Sequence, residues 1–323
     1  MSKYIGKLVN VSYGVESTRG TAVAASYWQP KMTLTVQDKS ESVMDENSRG
    51  HIVDAITSDI VKKWAEGAIE GRAYVNALGY LLYSLLGSVN TAASGGAYVH
   101  TFSLLGTSNQ HKSLTIGVKD PDLQLRHALC MIESLTLSID NAGELTFSAS
   151  FKGKLGTTTT HTVSYSTDYG LLGKHGAIKL ATDLSGLGAA SALAIKSLEL
   201  TISKNLEMDY VVGSVEPADI YNTLFTIEGN IEAILDSTAT YKDVSFGDTP
   251  KALRITVEDT ATTIGSSENP KLNIDLARVK LIDWSPNWSN NEVVKQTIKF
   301  KGFYSMSDAE AIEAELTNTT SSY

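Results

Sequence analysis

Two pairs of glutamates carry a spacing that could do acid–base work. Glu66 and Glu70 lie in "WAEGAIEGR" (64–72), and Glu228 and Glu232 lie in "TIEGNIEAI" (226–234). Paired carboxylates are what glycoside hydrolysis requires. The repetition argues against that use, because a duplicated scaffold preserves structure in both copies more readily than catalysis. The carboxylates read instead as surface or interface groups.

Other candidate chemistry is weaker. "GTSNQHKS" (106–113) resembles a phosphate loop, but His111 stands where the essential glycine belongs and the next segment reads as a strand. "GLGAAS" (186–191) resembles a dinucleotide fingerprint, yet it also leads into a strand and Ser191 replaces its last glycine. His51, His100, His111, His127, His161 and His175 are scattered, with no pair at helical metal-ligand spacing. Cys130 has no thiol partner and reads as a small core residue. No Gly-x-Ser-x-Gly elbow occurs. The residues point to no enzyme and to no cofactor or metal.

The elements that must position these groups are mostly strands. Leu114, Ile116 and Val118 alternate with polar neighbours, as do Leu135, Leu137 and Ile139, and then Leu145, Phe147, Ala149 and Phe151. Period two places apolar side chains on one sheet face and Thr/Ser on the other. "DNAGE" (140–144) separates two such runs, so 132–152 reads as a hairpin. Tyr74, Leu78, Leu81, Leu82 and Leu85 form a helical stripe that stops at Gly87. "SVNTAASGGAYV" then reads as an exposed loop. "SDAEAIEAEL" reads as a short helix with Ser307 and Glu310 at capping-box spacing, and "TNTTSSY" as a frayed end.

The formal net charge of −9 disfavours nonspecific attraction to nucleic acid or anionic membranes. The single cysteine excludes a disulfide framework and suits a reducing compartment. No secretory signal or membrane-spanning run is visible, so assembly in a cytoplasm is expected.

The glutamate phrase is not the only one repeated. Leu34-Thr35-Val36 matches Leu200-Thr201-Ile202, "SLTIGVKD" (113–120) resembles "ALRITVED" (252–259), and "FKG" at 151–153 recurs at 300–302. Four echoes in one order favour tandem duplication. The loosened stretch 153–192 places the boundary, giving domains 1–165 and 166–323. "STATYKDVSFG" (237–247) replaces the long helix of the first copy with something shorter.

The order "GVESTRGTA", "KSESVMDENSRGHIVD", "KWAEGAIEG", "LGYLLYSLLG", "HTF…NQHKSLT" resembles the tail tube (major tail) proteins of long-tailed bacteriophages. The span 197–235 resembles the same module again. The resemblance implies a mainly β chain of two tandem β-sandwich or half-barrel modules, each with a flanking helix. It implies stacked rings forming a hollow conduit for DNA in the phage tail. Two modules per chain predict trimeric rings of pseudo-sixfold symmetry, with hexamers if the second half is an outward domain. Tape measure and tail-tip or terminator proteins are the implied partners. Glu66, Glu70, Glu228 and Glu232 would line the lumen and repel phosphates. Loops Asp38 to His51 (Glu41, Asp45, Glu46, Arg49) and Lys204 to Glu216 (Glu207, Asp209, Glu216) would reach the neighbouring ring.

Three other classes of protein share parts of this pattern. A carbohydrate-binding β-sandwich needs an aromatic platform, and only Trp284 and Trp288 cluster. A surface-layer or pilus-like subunit needs a secretory signal. A neck or head-decoration protein shares the polymeric logic and differs only in the order of elements.

Overall fold

The computed structural model describes residues 3–30, 32–235, 241–247 and 249–323. In chain order the elements are β1 (Asn10–Val15), β2 (Tyr27–Gln29), β3 (Met32–Asp45), β4 (Thr57–Arg72), α1 (Val75–Leu86), β5 (Gly87–Ser94), β6 (Ala97–Leu104), β7 (Leu114–Lys119), β8 (Gln124–Asp140) and β9 (Thr146–Gly153). There follow β10 (Thr157–Thr158), β11 (Gly176–Ala181), β12 (Ile195–Asp209), β13 (Asp219–Ile234), α2 (Lys242–Phe246), β14 (Lys251–Glu258), β15 (Lys271–Asn287), β16 (Lys295–Phe303) and β17 (Ile312–Asn318). All 17 strands of the described residues join one large open antiparallel sheet, so the chain is mainly β as its period-two runs require.

The strand pairing repeats. The order β3-β4-β9-β8 is met again as β12-β13-β16-β15, and β8 pairs directly with β12, so eight strands run as one continuous sheet. Strands β8 and β15 are long because each serves two layers. The first part of β8 pairs with β7 and β10, and its second part with β9 and β12. Likewise β15 pairs first with β14 and β17 and then with β16. Even the bulges agree: Ile132/Ser134 against Leu281/Asp283, and Leu114/Ile116 against Lys251/Leu253.

Two of the four repeated phrases hold this register. Gly67 faces Val36 and Phe151, and Gly229 faces Leu200 and Phe300. Val36 therefore stands where Leu200 does, and Leu114 where Lys251 does, so the other two matches fall on equivalent strands but slip by two residues. A slip of two keeps every side chain on its face, which is why the alternation did not expose it.

The core lies under the inner face of the eight-stranded sheet. Eleven of the twelve residues of α1 are buried, as expected of a helix apolar nearly all round, and Gly87 closes it at φ 93. The second helix, α2, is only five residues long; residues 237–240 of that segment lie outside the described residues.

Four expectations are corrected. Residues 88–99, read as a loop, belong to the β5–β6 hairpin, turning at Gly95 and Gly96, both at positive φ. The span 307–316 is not a helix. Its C-terminal part is β17, held between β15 and β6, with Ile312, Ala314 and Leu316 buried. The final residues are not frayed: the Tyr323 hydroxyl donates to the Asn76 carbonyl (3.0 Å), and its ring covers Gly79 of α1. Finally, the two polar loops are largely strand. Asp38–Asp45 continues β3 and Lys204–Asp209 continues β12 as two-stranded ribbons, the second packed by Leu206 and Met208 against the body, leaving turns at 46–56 and 210–218.

Candidate assembly surface

The outer face of the eight-stranded sheet is predominantly polar. One row runs Thr33, Glu70, Ser148, Thr136, Thr201, Glu228, Lys301, and another runs Thr146, Ser138, Glu199, Asn230, Lys299, Asp283. Hydroxyls bond across strands, Ser134 to Ser150 at 2.7 Å and Thr136 to Thr201 at 3.0 Å. The opposite face carries Ile69, Phe151, Leu135, Leu200, Ile231 and Phe300, all in the core.

The structure brings all four sequence-predicted glutamates to this polar face, but not as bare carboxylates. Glu66 binds Lys39 and accepts from Trp64 Nε1 (3.1 Å), and these contacts hold its carboxyl below the usual range. Glu228 pairs with Lys301 at 3.0 Å and Glu232 with Lys295 at 2.9 Å. Glu70 accepts from Ser148 Oγ at 3.2 Å. Lys152 pairs with Glu133 at 2.6 Å and Lys299 with Asp283 at 3.1 Å. The surface is therefore a near-neutral mesh of hydroxyls and ion pairs, not a simple acidic lining. An ionised, lysine-paired Glu66 is also unsuited to general-acid work.

The predicted ring-stacking residues lie on the two ribbons or their turns. In the first, Glu41 pairs with Lys62 (2.8 Å), Arg49 with Asp45 (3.0 Å), and Glu46 lies in the turn. This ribbon also exposes Val43, Met44, Ile52, Val53, Ile56 and Ile60. On the second, Glu207 is exposed and Asp209 accepts from the Tyr221 hydroxyl at 3.4 Å. Glu216 is half-buried in the turn. Lys204 is not a loop residue. It is buried, donates to the Ser84 carbonyl at 2.7 Å, and is driven well below the ordinary lysine range by burial and then by Arg19.

Two charged groups that the sequence did not disclose make networks of contacts, half-buried Arg19 at the base of the second ribbon and buried Glu16 behind it. Arg19 donates to Asp219 (2.5 and 3.1 Å), to the Ile220 carbonyl (2.6 Å) and to the His111 carbonyl. Glu16 accepts from Gly20 N, Ser113 Oγ, Thr115 Oγ1 and Leu129 N at 2.6–2.9 Å. Both residues come from the quoted "GVESTRGTA", but apart from Gly20 their partners lie too far along the chain to be read from it.

A family model described as a phage tail tube protein matches residues 6–302. The chain belongs to that family. No curated protein matched the sequence. A tail tube is a structural part of the virion, so family membership implies a non-enzymatic role, self-assembly and a place in the phage particle. Among the described residues no metal-ligand cluster occurs, and no helix is long and apolar enough to cross a membrane.

This tail tube protein also carries an acidic cleft of about 500 Å³ between the end of β6 and the turn before β17. Burial, and then Glu313, Asp275 and Asp308, push the Glu310 carboxyl up to about 7. The folded chain holds that proton more tightly than the unfolded one, so the associated stability is present at acid pH and is lost as pH rises through about 7. Denaturation midpoints at pH 5 and pH 8 should differ in that direction, and Glu310→Gln should narrow the difference. Equal slopes in both proteins would show that Glu310 is not the group.

Proposed function

We propose that this chain forms the tail tube as closed, stacked trimeric rings, each chain supplying two tandem modules, 1–165 and 166–323. The observation that carries the reading is the eight-stranded sheet: one face is covered by the chain itself, the other is polar and exposed, and its two lateral edges pair with no further strand among the described residues. The proposed division falls in the irregular stretch between β10 and β11. Curling the sheet with its covered face outward puts the hydroxyl and ion-pair mesh in the lumen.

Strand number then discriminates between ring sizes. With strands about 4.8 Å apart and tilted about 40°, three chains close a barrel roughly 45–50 Å across its backbone, wide enough for duplex DNA. One chain closed on itself would leave an interior filled by side chains, and six would double the bore. The exposed apolar residues of the first ribbon are suited to burial against the next ring. Tape measure and tail-tip or terminator proteins would complete the tail, assembled in the host cytoplasm.

Electron microscopy of the concentrated protein or of native particles, with mass per ring, tests this. Hollow stacked rings of three chains are expected. Six-chain rings would overturn the two-module reading, and a chain that never assembles would overturn the function. The lumen has its own test. Converting Glu66, Glu70, Glu228 and Glu232 to lysine should slow DNA ejection at low salt and lose its effect at high salt. Unchanged low-salt ejection would remove these residues from the lumen.

A further inference from the structure

The chain contains one finished copy of the contact that a closed ring needs. Within the molecule β8 and β12 join the two repeated strand sets, with Leu137 facing Leu200, Thr136 facing Thr201 and Ser134 facing Ser203. At the far ends of the same sheet, β3 pairs only with β4, and the last part of β15, from Asp283, only with β16, among the described residues. The repeated register makes β3 the counterpart of β12, with Val36 at the place of Leu200. It makes β15 the counterpart of β8, with Leu281 at the place of Ile132.

We infer that neighbouring copies join by antiparallel pairing of the free edge of β15 with the free edge of β3, in the register of the internal β8–β12 joint. Transferred residue by residue, Ser285 faces Gln37, Asn287 faces Thr35, Asp283 faces Lys39 and Trp288 faces Leu34 of the next copy. The inference rests on the ring reading and assigns its joint.

The residues at these positions support the transfer. Asp283 and Lys39 carry opposite charges and occupy the polar face, where Ser134 and Ser203 meet in the internal joint. Trp288 and Leu34 fall where Ile139 and Leu198 are buried against each other. In the isolated chain Trp288 is 70% exposed and Leu34 only half-buried, a pair left waiting for cover. Pro286 takes the place of Leu137; it keeps an apolar contact and, having no N–H, leaves the ladder at that position one hydrogen bond short. A second copy is thus the one occupant that satisfies charge, apolar cover and backbone pairing together.

Paired cysteines test the register. Gln37→Cys and Ser285→Cys are placed in one chain, with Thr35→Cys and Ser285→Cys as the pair slipped by two. The native Cys130 is buried and gives a low background. Assembled rings or tubes of each variant are oxidised and run on a non-reducing gel. The inference predicts interchain bonds closing covalent three-chain species for the first pair, and at least tenfold less product for the slipped pair. Circular dichroism checks folding, and mixing the two single-cysteine chains, which should yield only dimeric product, confirms that the bond lies between copies. Tubes that form but cross-link better in the slipped pair, or in neither, overturn this joint and leave the tube reading standing. Absence of rings and tubes from the unmodified protein overturns both.

Discussion

Replacing Glu16 by alanine should lower stability by roughly 3–5 kcal/mol, which moves the melting temperature by about 4–7 °C in a chain of this size. Glu16 is 1% exposed and accepts four hydrogen bonds, two on each carboxylate oxygen. Alanine leaves Ser113, Thr115, Gly20 N and Leu129 N without their carboxylate acceptor in a buried space, and each orphaned donor costs about 1–3 kcal/mol before relaxation. The Leu129 contact has the widest reach. Leu129 sits at φ 54, a left-handed conformation that a leucine adopts only when its surroundings impose it, and it stands where β8 passes from one layer to the other. Loosening this bend should therefore disturb the β8–β12 joint as well as the melting point. Glu16→Gln keeps one acceptor oxygen and should lose about half as much. Chemical denaturation of the three proteins checks the order, and an alanine variant within about 1 kcal/mol of the parent would mean that the carboxylate is dispensable.

What the sequence disclosed, and what it hid, follows from where each signal originates. The 132–152 hairpin and α1 were legible because their patterns are local: alternation for a half-wet strand, an apolar stripe ending at a left-handed glycine for a buried helix. The ribbons were not, because both faces of Asp38–Asp45 are in water and no alternation survives to mark a strand. "AIEAEL" satisfies both periods, and only the neighbours β15 and β6, remote in sequence, decide for strand. The glutamates were found by their repetition, and all four do share one face. Their lysines were out of reach: Glu228 meets Lys301 only after the chain has returned through three further strands. Arg19, Glu16 and Lys204 show the same limit, since a charge's burial depends on partners that spacing cannot supply.

The repeated glutamate phrase owes its glycine to the ring that faces it. Its glycine faces the core, directly opposite the phenylalanine of the repeated "FKG", while its glutamate faces that phrase's lysine on the other side of the sheet. The two phrases are thus halves of one motif, Gly–Phe inside and Glu–Lys outside, built twice. A Cβ on Gly229 would lie 2.2 Å from Phe300 Cζ and 2.6 Å from the Glu199 carbonyl oxygen, and one on Gly67 would lie 2.9 Å from Phe151 Cζ and 2.2 Å from the Thr35 carbonyl oxygen. Gly229→Ala should therefore cost about 3 kcal/mol, the upper range of core overpacking, although it adds a single methyl. Phe300→Leu should cost about 1–2 kcal/mol by itself through lost packing. Together they should cost less than their sum by about 1 kcal/mol, because leucine withdraws the ring from the methyl while the Glu199 carbonyl still resists it. The same cycle at Gly67 and Phe151 should show weaker coupling, since there the backbone oxygen is the nearer obstacle and leucine cannot move it. Equal, additive losses at both sites would mean that the glycines serve strand twist alone, and that the ring of the facing phenylalanine is not the reason the phrase occurs twice.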